Sequence, residues 1–297
     1  MSAGSNGRAP RTSLDRREFV RRAGLGVLAA AAAPRGLWAG EAGARVAFCG
    51  ANLVARVSDY RFELKNWMKQ HHATIKATDV AEWQAICEDV AAAGFKGIEV
   101  WEAHASPQTI DSKDKAAEWK RVMEGAGLKP VAYAGTLGRE TLQICEWLEI
   151  PHVDGQIGGL SPDAATKLCA EFEIGYNIEN HPQKTSAEIL EVIGGGNEWL
   201  GVCVDTGWLG SQGAPGPKII KECGDLVRHT HIKDVAAAEG HATVLLGDGV
   251  VDPAACIQAL KGIGYAGWYS WEDEPEDRNP LESAERNRLF IEKHVNA

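Results

Sequence analysis

Leu200-Gly201-Val202-Cys203-Val204-Asp205 and Arg228-His229-Thr230-His231-Ile232-Lys233-Asp234 are β-rich runs, each carrying a metal-competent side chain near its C-terminal end. Working outward, Ile174-Gly175-Tyr176-Asn177-Ile178-Glu179 and Gly267-Trp268-Tyr269-Ser270-Trp271-Glu272 do the same. Glu179, Asp205, His231 and Glu272 thus stand at the ends of four successive strand-like runs. In a barrel of parallel strands those ends converge on one mouth. Three carboxylates and one imidazole form a hard, mostly oxygen donor set. It suits one divalent ion of Mn²⁺, Mg²⁺ or Co²⁺, and Zn²⁺ less well.

Helical signals separate the strand-like runs. Asp79 precedes an apolar stripe of Val80, Trp83, Ile86, Cys87, Val90 and Ala91, which Gly94 ends. Gly97-Ile98-Glu99-Val100-Trp101 then reads as a strand, and Ser161-Pro162 opens another helix. Strands alternate with helices about eight times with no linker to a second domain, which predicts an α/β chain folded as a single (β/α)8 TIM barrel over residues 45–297. A doubly wound sheet lacks support, because no GxGxxG follows the first strand. Residues 54–78 read as a polar insertion with a helix near residues 58–70, leaving His71 and His72 in a solvated loop.

The first 44 residues read as a signal peptide rather than as fold. Arg16-Arg17 precedes an apolar, Ala-rich run from Ala23 to Ala33, and small residues follow near Ala39 and Ala42-Gly43-Ala44. The run is shorter than the roughly 20 residues a bilayer span needs. The paired arginines predict twin-arginine export to the periplasm or beyond. The whole chain carries 31 basic and 41 acidic residues, and residues 1–44 hold seven of the former and three of the latter. The remainder has 24 against 38, a formal charge of −14. Such a surface is a poor partner for nucleic acid or for an anionic membrane. The seven cysteines are odd in number and none forms a CxxC, so they read as small buried hydrophobes.

Taken together, these residues resemble the sugar phosphate isomerase/epimerase family, the xylose-isomerase-like barrels. The resemblance is carried by Gly94-Phe95-Lys96-Gly97-Ile98-Glu99, Ile178-Glu179-Asn180-His181, Val204-Asp205-Thr206-Gly207-Trp208, His229-Thr230-His231-Ile232-Lys233-Asp234, Leu246-Gly247-Asp248-Gly249-Val250-Val251-Asp252 and Gly264-Tyr265-Ala266-Gly267. It implies a divalent metal held by Glu179, Asp205, His231 and Glu272, with the two glutamates also moving protons. Many relatives carry a substrate-holding His three residues after the metal Asp; here Trp208 stands there, an indole that could stack on a sugar face.

The residue pattern supplies further candidates. His181 lies two residues from Glu179, and His229 two from His231, so each shares a strand face with a ligand. Lys233 points into the same mouth and could stabilise developing negative charge. Glu102 and His104 follow the second strand and could line the mouth. Glu99 reads as structural, and Asp234, Asp273 and Glu274 as solvated or functional alike. Together these predict an exported, metal-dependent isomerase or epimerase that takes the proton α to the carbonyl of a small keto-sugar. A lyase acting on a 3-keto-glycoside uses the same first step. An abasic-site endonuclease fits poorly with the charge of −14. A non-catalytic sugar binder would have no use for both Glu179 and Glu272. Oligomeric state, including a homo-oligomer, stays open.

Overall fold

The eight strand-like runs close into one parallel barrel. The computed structural model describes residues 44–297, so the expected signal peptide lies outside the described residues apart from Ala44. The barrel strands are β1 Val46–Cys49, β2 Gly97–Trp101, β3 Lys129–Thr136, β4 His152–Gln156, β5 Gly175–Glu179, β6 Leu200–Asp205 and β7 Val227–Ile232. A two-stranded antiparallel hairpin follows, β8 Asp234–Val235 with β9 Thr243–Val244, and β10 Tyr269–Trp271 is the eighth barrel strand. Each barrel strand pairs with its neighbours in chain order, and β10 closes the ring against β1 and β7.

Alternation sorts the side chains into two populations. Ile98 and Val100, Tyr176 and Ile178, Val202 and Val204, and Ile232 and Trp271 belong to the main core cluster, packed with helix residues such as Trp83, Ile86, Leu142 and Ile291. The alternate positions of the same strands, Glu99, Asn177, Asp205, His229, His231 and Ser270, are buried and polar. The period of two therefore sends apolar residues to the helices and polar residues to the barrel axis. Below them Ala47, Val131 and Ala132 pack against Trp268. A Cβ on Gly97 would come within 2.6 Å of the Trp268 ring, so this floor requires glycine there.

Helix starts follow the chemistry of their caps. Asp79, Ser112, Ser161 and Thr185 each accept a hydrogen bond from the backbone N–H three residues on. The expected helix from Ser161-Pro162 spans Pro162–Phe172, and the strand read at 97–101 is β2. All seven cysteines are free and buried. Among the described residues, no helix is long and apolar enough to cross a membrane.

The insertion differs from the sequence reading, and two further segments hold structure that the sequence reading did not specify. The helix of the insertion is Trp67–Ala77, later than residues 58–70, so His71 and His72 are helical rather than in a loop. It is docked by aromatic packing, Trp67 lying 5.6 Å from Trp101 and 6.4 Å from Phe62 between ring centres. Thr206–Ser211 is a short helix despite its two glycines, because the Asp205 carboxylate caps it. The stretch after β7 holds the β8–β9 hairpin.

Candidate metal centre

Glu179 ends β5, Asp205 ends β6, His231 lies one residue before the end of β7, and Glu272 follows β10. Parallel register puts Asp205 beside His231 and Ser270 beside His231 on the other flank. One donor atom from each of Glu179, Asp205, His231 and Glu272 lies within 4.8 Å of the others. His231 Nδ1 is 2.8 Å from Glu179 Oε1 and 3.4 Å from Glu272 Oε2. Asp205 splits its oxygens: Oδ1 accepts from the Trp208 N–H at 2.9 Å, and Oδ2 lies 3.0 Å from His181 Nε2. Asn180 fixes the Asp205 backbone, donating to its carbonyl and accepting from its N–H.

Three carboxylates this close, all but Glu179 buried, repel one another and call for cationic charge. Lys233 supplies part of it. Its Nζ is 2.6 Å from Glu274 Oε2, 3.2 Å from Glu272 Oε2 and 3.7 Å from Asp205 Oδ2. Its stem lies flat over Gly207, where a Cβ would meet Lys233 Cγ at 2.5 Å. Burial opposes ionisation of His231, but Glu272, Glu99, Glu179 and Cys203 together hold its pKa well above the usual imidazole range. Asp205 is likewise held well below the usual carboxylate range, its burial outweighed by Lys233, His181 and His231. The cluster attracts positive charge, and its hard O₃N donor set at one mouth fits a divalent ion.

The four ligand candidates share a cavity of about 360 Å³ with several other expected residues. Lys233, His181, Trp208 and Glu102 line it. Trp208 lies between His181, 4.4 Å away, and His241, stacked at 5.1 Å and 15°. Glu102 receives the Thr136 N–H at 3.0 Å and lies 3.1 Å from His71 Nε2. His229 and His104 do not line the cavity. His229 sits one strand turn deeper, fully buried, with Nε2 3.0 Å from both Glu99 Oε2 and Ser270 Oγ. His104 is 1% exposed, packed 5.2 Å from Trp101 and 5.9 Å from Trp83. Burial pushes its pKa down to about 3, with Arg56 and His71 adding to the effect. Aromatic packing, rather than the cavity, claimed that side chain.

Two further lining residues are Glu274, which the sequence left as solvated or functional alike, and His241, which it did not single out. Glu274 is pulled in by Lys233; burial, opposed by Lys233, raises its pKa to about 7. Its signal was the spacing of two from Glu272 along an extended chain. His241 comes from the turn between β8 and β9 and had no local signal.

The family profile described as xylose isomerase-like TIM barrel matches residues 163–294, the part that carries all four ligand candidates. An inosose dehydratase of Geobacillus thermodenitrificans is 29% identical over 160 residues, covering 47% of this chain and 52% of that protein. The chain spans about half the length of the curated relatives it matches. Among solved structures, an L-ribulose 3-epimerase superposes with a TM-score of 0.63 at 17% identity, covering 85% of this chain and 95% of the other. The IOLI protein with a bound zinc atom superposes with a TM-score of 0.56 at 18% identity, covering 84% and 96%. At such identities the superpositions speak to fold. The closed barrel and its alternating helices make the chain a (β/α)8 TIM barrel, and its residues 163–294 match the xylose isomerase-like profile.

Proposed function

We propose that this barrel is a divalent-metal-dependent enzyme that removes the proton α to the carbonyl of a small keto-sugar, leading to isomerisation or epimerisation. The observation that carries the reading is the placement of Glu179 and Glu272 on either side of His231 Nδ1, from the fifth and eighth barrel strands. A divalent ion held by Glu179, Asp205, His231 and Glu272 would supply Lewis acidity toward the substrate's carbonyl oxygen. A carboxylate oxygen of Glu179 or Glu272 takes the α proton, and the other glutamate returns one to the neighbouring carbon or the opposite face. Lys233, held by Glu274 and Glu272, places its ammonium where negative charge develops. His181 and Glu102 offer polar contacts to hydroxyls, and the Trp208 indole offers a face to the ring.

A second reading is favoured by the curated relatives, which are named inosose dehydratases. With a leaving group on the β carbon, the C–H electron pair left by deprotonation forms a C=C bond as the Cβ–O bond breaks. The departing oxygen takes a proton, giving a dehydratase or a lyase on keto-glycosides. Twin-arginine export through Arg16-Arg17 belongs to the same proposal and favours non-phosphorylated substrates. The test is a panel of ketoses, an inosose and 3-keto-glycosides, incubated with chelator-stripped and Mn²⁺- or Co²⁺-reloaded protein and followed by NMR and ultraviolet absorbance. Metal-dependent inversion or carbonyl migration supports the first reading, and a conjugated enone supports the second. Turnover equal with and without metal would overturn both.

A further inference from the structure

We infer that Glu99 is the positioning residue of the metal centre: it fixes the tautomer and ring orientation of His231, so that Nδ1 is the ligating atom. The inference rests on the metal reading above. Glu99 is on β2, and its carboxylate reaches across the barrel interior to β7, which lies beyond β1 and β10 in the sheet order. It is fully buried and engages both oxygens. Oε1 is 3.0 Å from His231 Nε2, and Oε2 is 3.0 Å from His229 Nε2. Two imidazoles two residues apart on one strand thus aim the same nitrogen at one carboxylate.

An ionised carboxylate only accepts, so each Nε2 must carry the proton and donate. The opposite tautomer of His231 would turn a lone pair toward a buried negative charge. With Nε2 committed, the remaining nitrogen, Nδ1, faces Glu179 at 2.8 Å and Glu272 at 3.4 Å. His229 lies behind Glu99, and its Nε2–H, directed at Oε2, is shared with Ser270 Oγ as a second acceptor at 3.0 Å. Glutamine in place of Glu99 keeps the size but offers one acceptor atom and one donor group. It can satisfy one imidazole N–H and must face the other with a donor. Removing such a partner typically weakens metal binding by about 10–100-fold.

The experiment uses the full folded protein stripped with chelator and titrated with Zn²⁺ alone, together with long-range ¹H–¹⁵N NMR of ¹⁵N-histidine-labelled, Zn²⁺-loaded wild type. The expected results are a His231 ring protonated at Nε2 and coordinated at Nδ1, and Zn²⁺ affinity about 10–100-fold weaker in Glu99→Gln with an unchanged circular dichroism spectrum. The exposed change Glu171→Gln should leave affinity unchanged. Zn²⁺ on Nε2, or an affinity for Glu99→Gln within about twofold of wild type, would overturn the assignment. If Glu99→Gln does not fold, the wild-type spectrum alone decides. Absence of Zn²⁺ binding by wild type would instead sink the metal reading on which the assignment stands.

Discussion

Lys233→Met is the perturbation whose consequences the structure specifies most fully. Lys233 is 8% exposed, and its ammonium lies within 4 Å of three carboxylates, at 2.6 Å from Glu274, 3.2 Å from Glu272 and 3.7 Å from Asp205. Methionine keeps the stem over Gly207 and deletes the charge. Removing one partner of a buried ion pair typically costs about 3–5 kcal/mol. Glu274 moderates that cost. Burial already raises its pKa to about 7 while Lys233 holds it down, so without Lys233 it rises further and keeps its proton at neutral pH. The lower end, about 3 kcal/mol, is therefore expected, a fall of about 6–12 °C in the melting midpoint of the metal-free protein. Calorimetry of stripped wild type and variant reads it directly. Because a protonated Glu274 leaves no unpaired charge, the gap between the two proteins should widen as pH rises from 6 toward 9. Added Mn²⁺ should narrow it, by bringing positive charge back to the cluster. A midpoint within about 2 °C of wild type at pH 8 without metal would refute the claim that Lys233 neutralises this site.

Other outcomes follow from the same geometry. His231→Ala should lower bound metal, measured by elemental analysis, well below the roughly one ion per chain expected of wild type; equal content would remove His231 from the centre. In the metal-free protein burial lowers the pKa of His181, but Glu179 and the hydrogen bond to Asp205 outweigh it and hold it at about 9. Its folded value lies above the ordinary value of about 6.5, so its contribution to stability is complete below that pH and is lost as pH rises through about 9. His181→Asn should flatten the unfolding free energy across that window, and an unchanged slope would count against the assignment. Replacing Arg16 and Arg17 with lysine should strand the protein in the cytoplasm, and normal export on fractionation would sink the twin-arginine reading.

Much of the architecture was legible because it is locally encoded. Asp79 and Ser161 announce helix starts through the hydrogen bonds they accept, and the run from Gly97 to Trp101 shows its alternation openly. The ligand candidates were legible for the same reason, since parallel strands put their ends at one mouth. What escaped is non-local. The helix Trp67–Ala77 has a weak apolar stripe and is secured by Trp67 against Phe62 and Trp101. Thr206–Ser211 carries two glycines and depends on Asp205 as its cap. Glu274 is drawn in by Lys233 and His104 drawn away by Trp83 and Trp101, neither of which the neighbouring sequence records. Glu99 meets a partner 132 residues away, a pairing only the closed barrel creates.

The central claim is proton abstraction beside a metal-held carbonyl by Glu179 at the end of β5 and Glu272 just after β10. It is tested most directly by following solvent deuterium into the keto-sugar substrate by NMR in D₂O, with wild type, Glu179→Gln and Glu272→Gln. Wild type loaded with metal should exchange or remove the α proton. Each variant should fall by at least the roughly 10²–10⁴-fold that general acid–base catalysis contributes, because each also loses a ligand. Exchange at a near-wild-type rate in either variant would contradict the account for that glutamate.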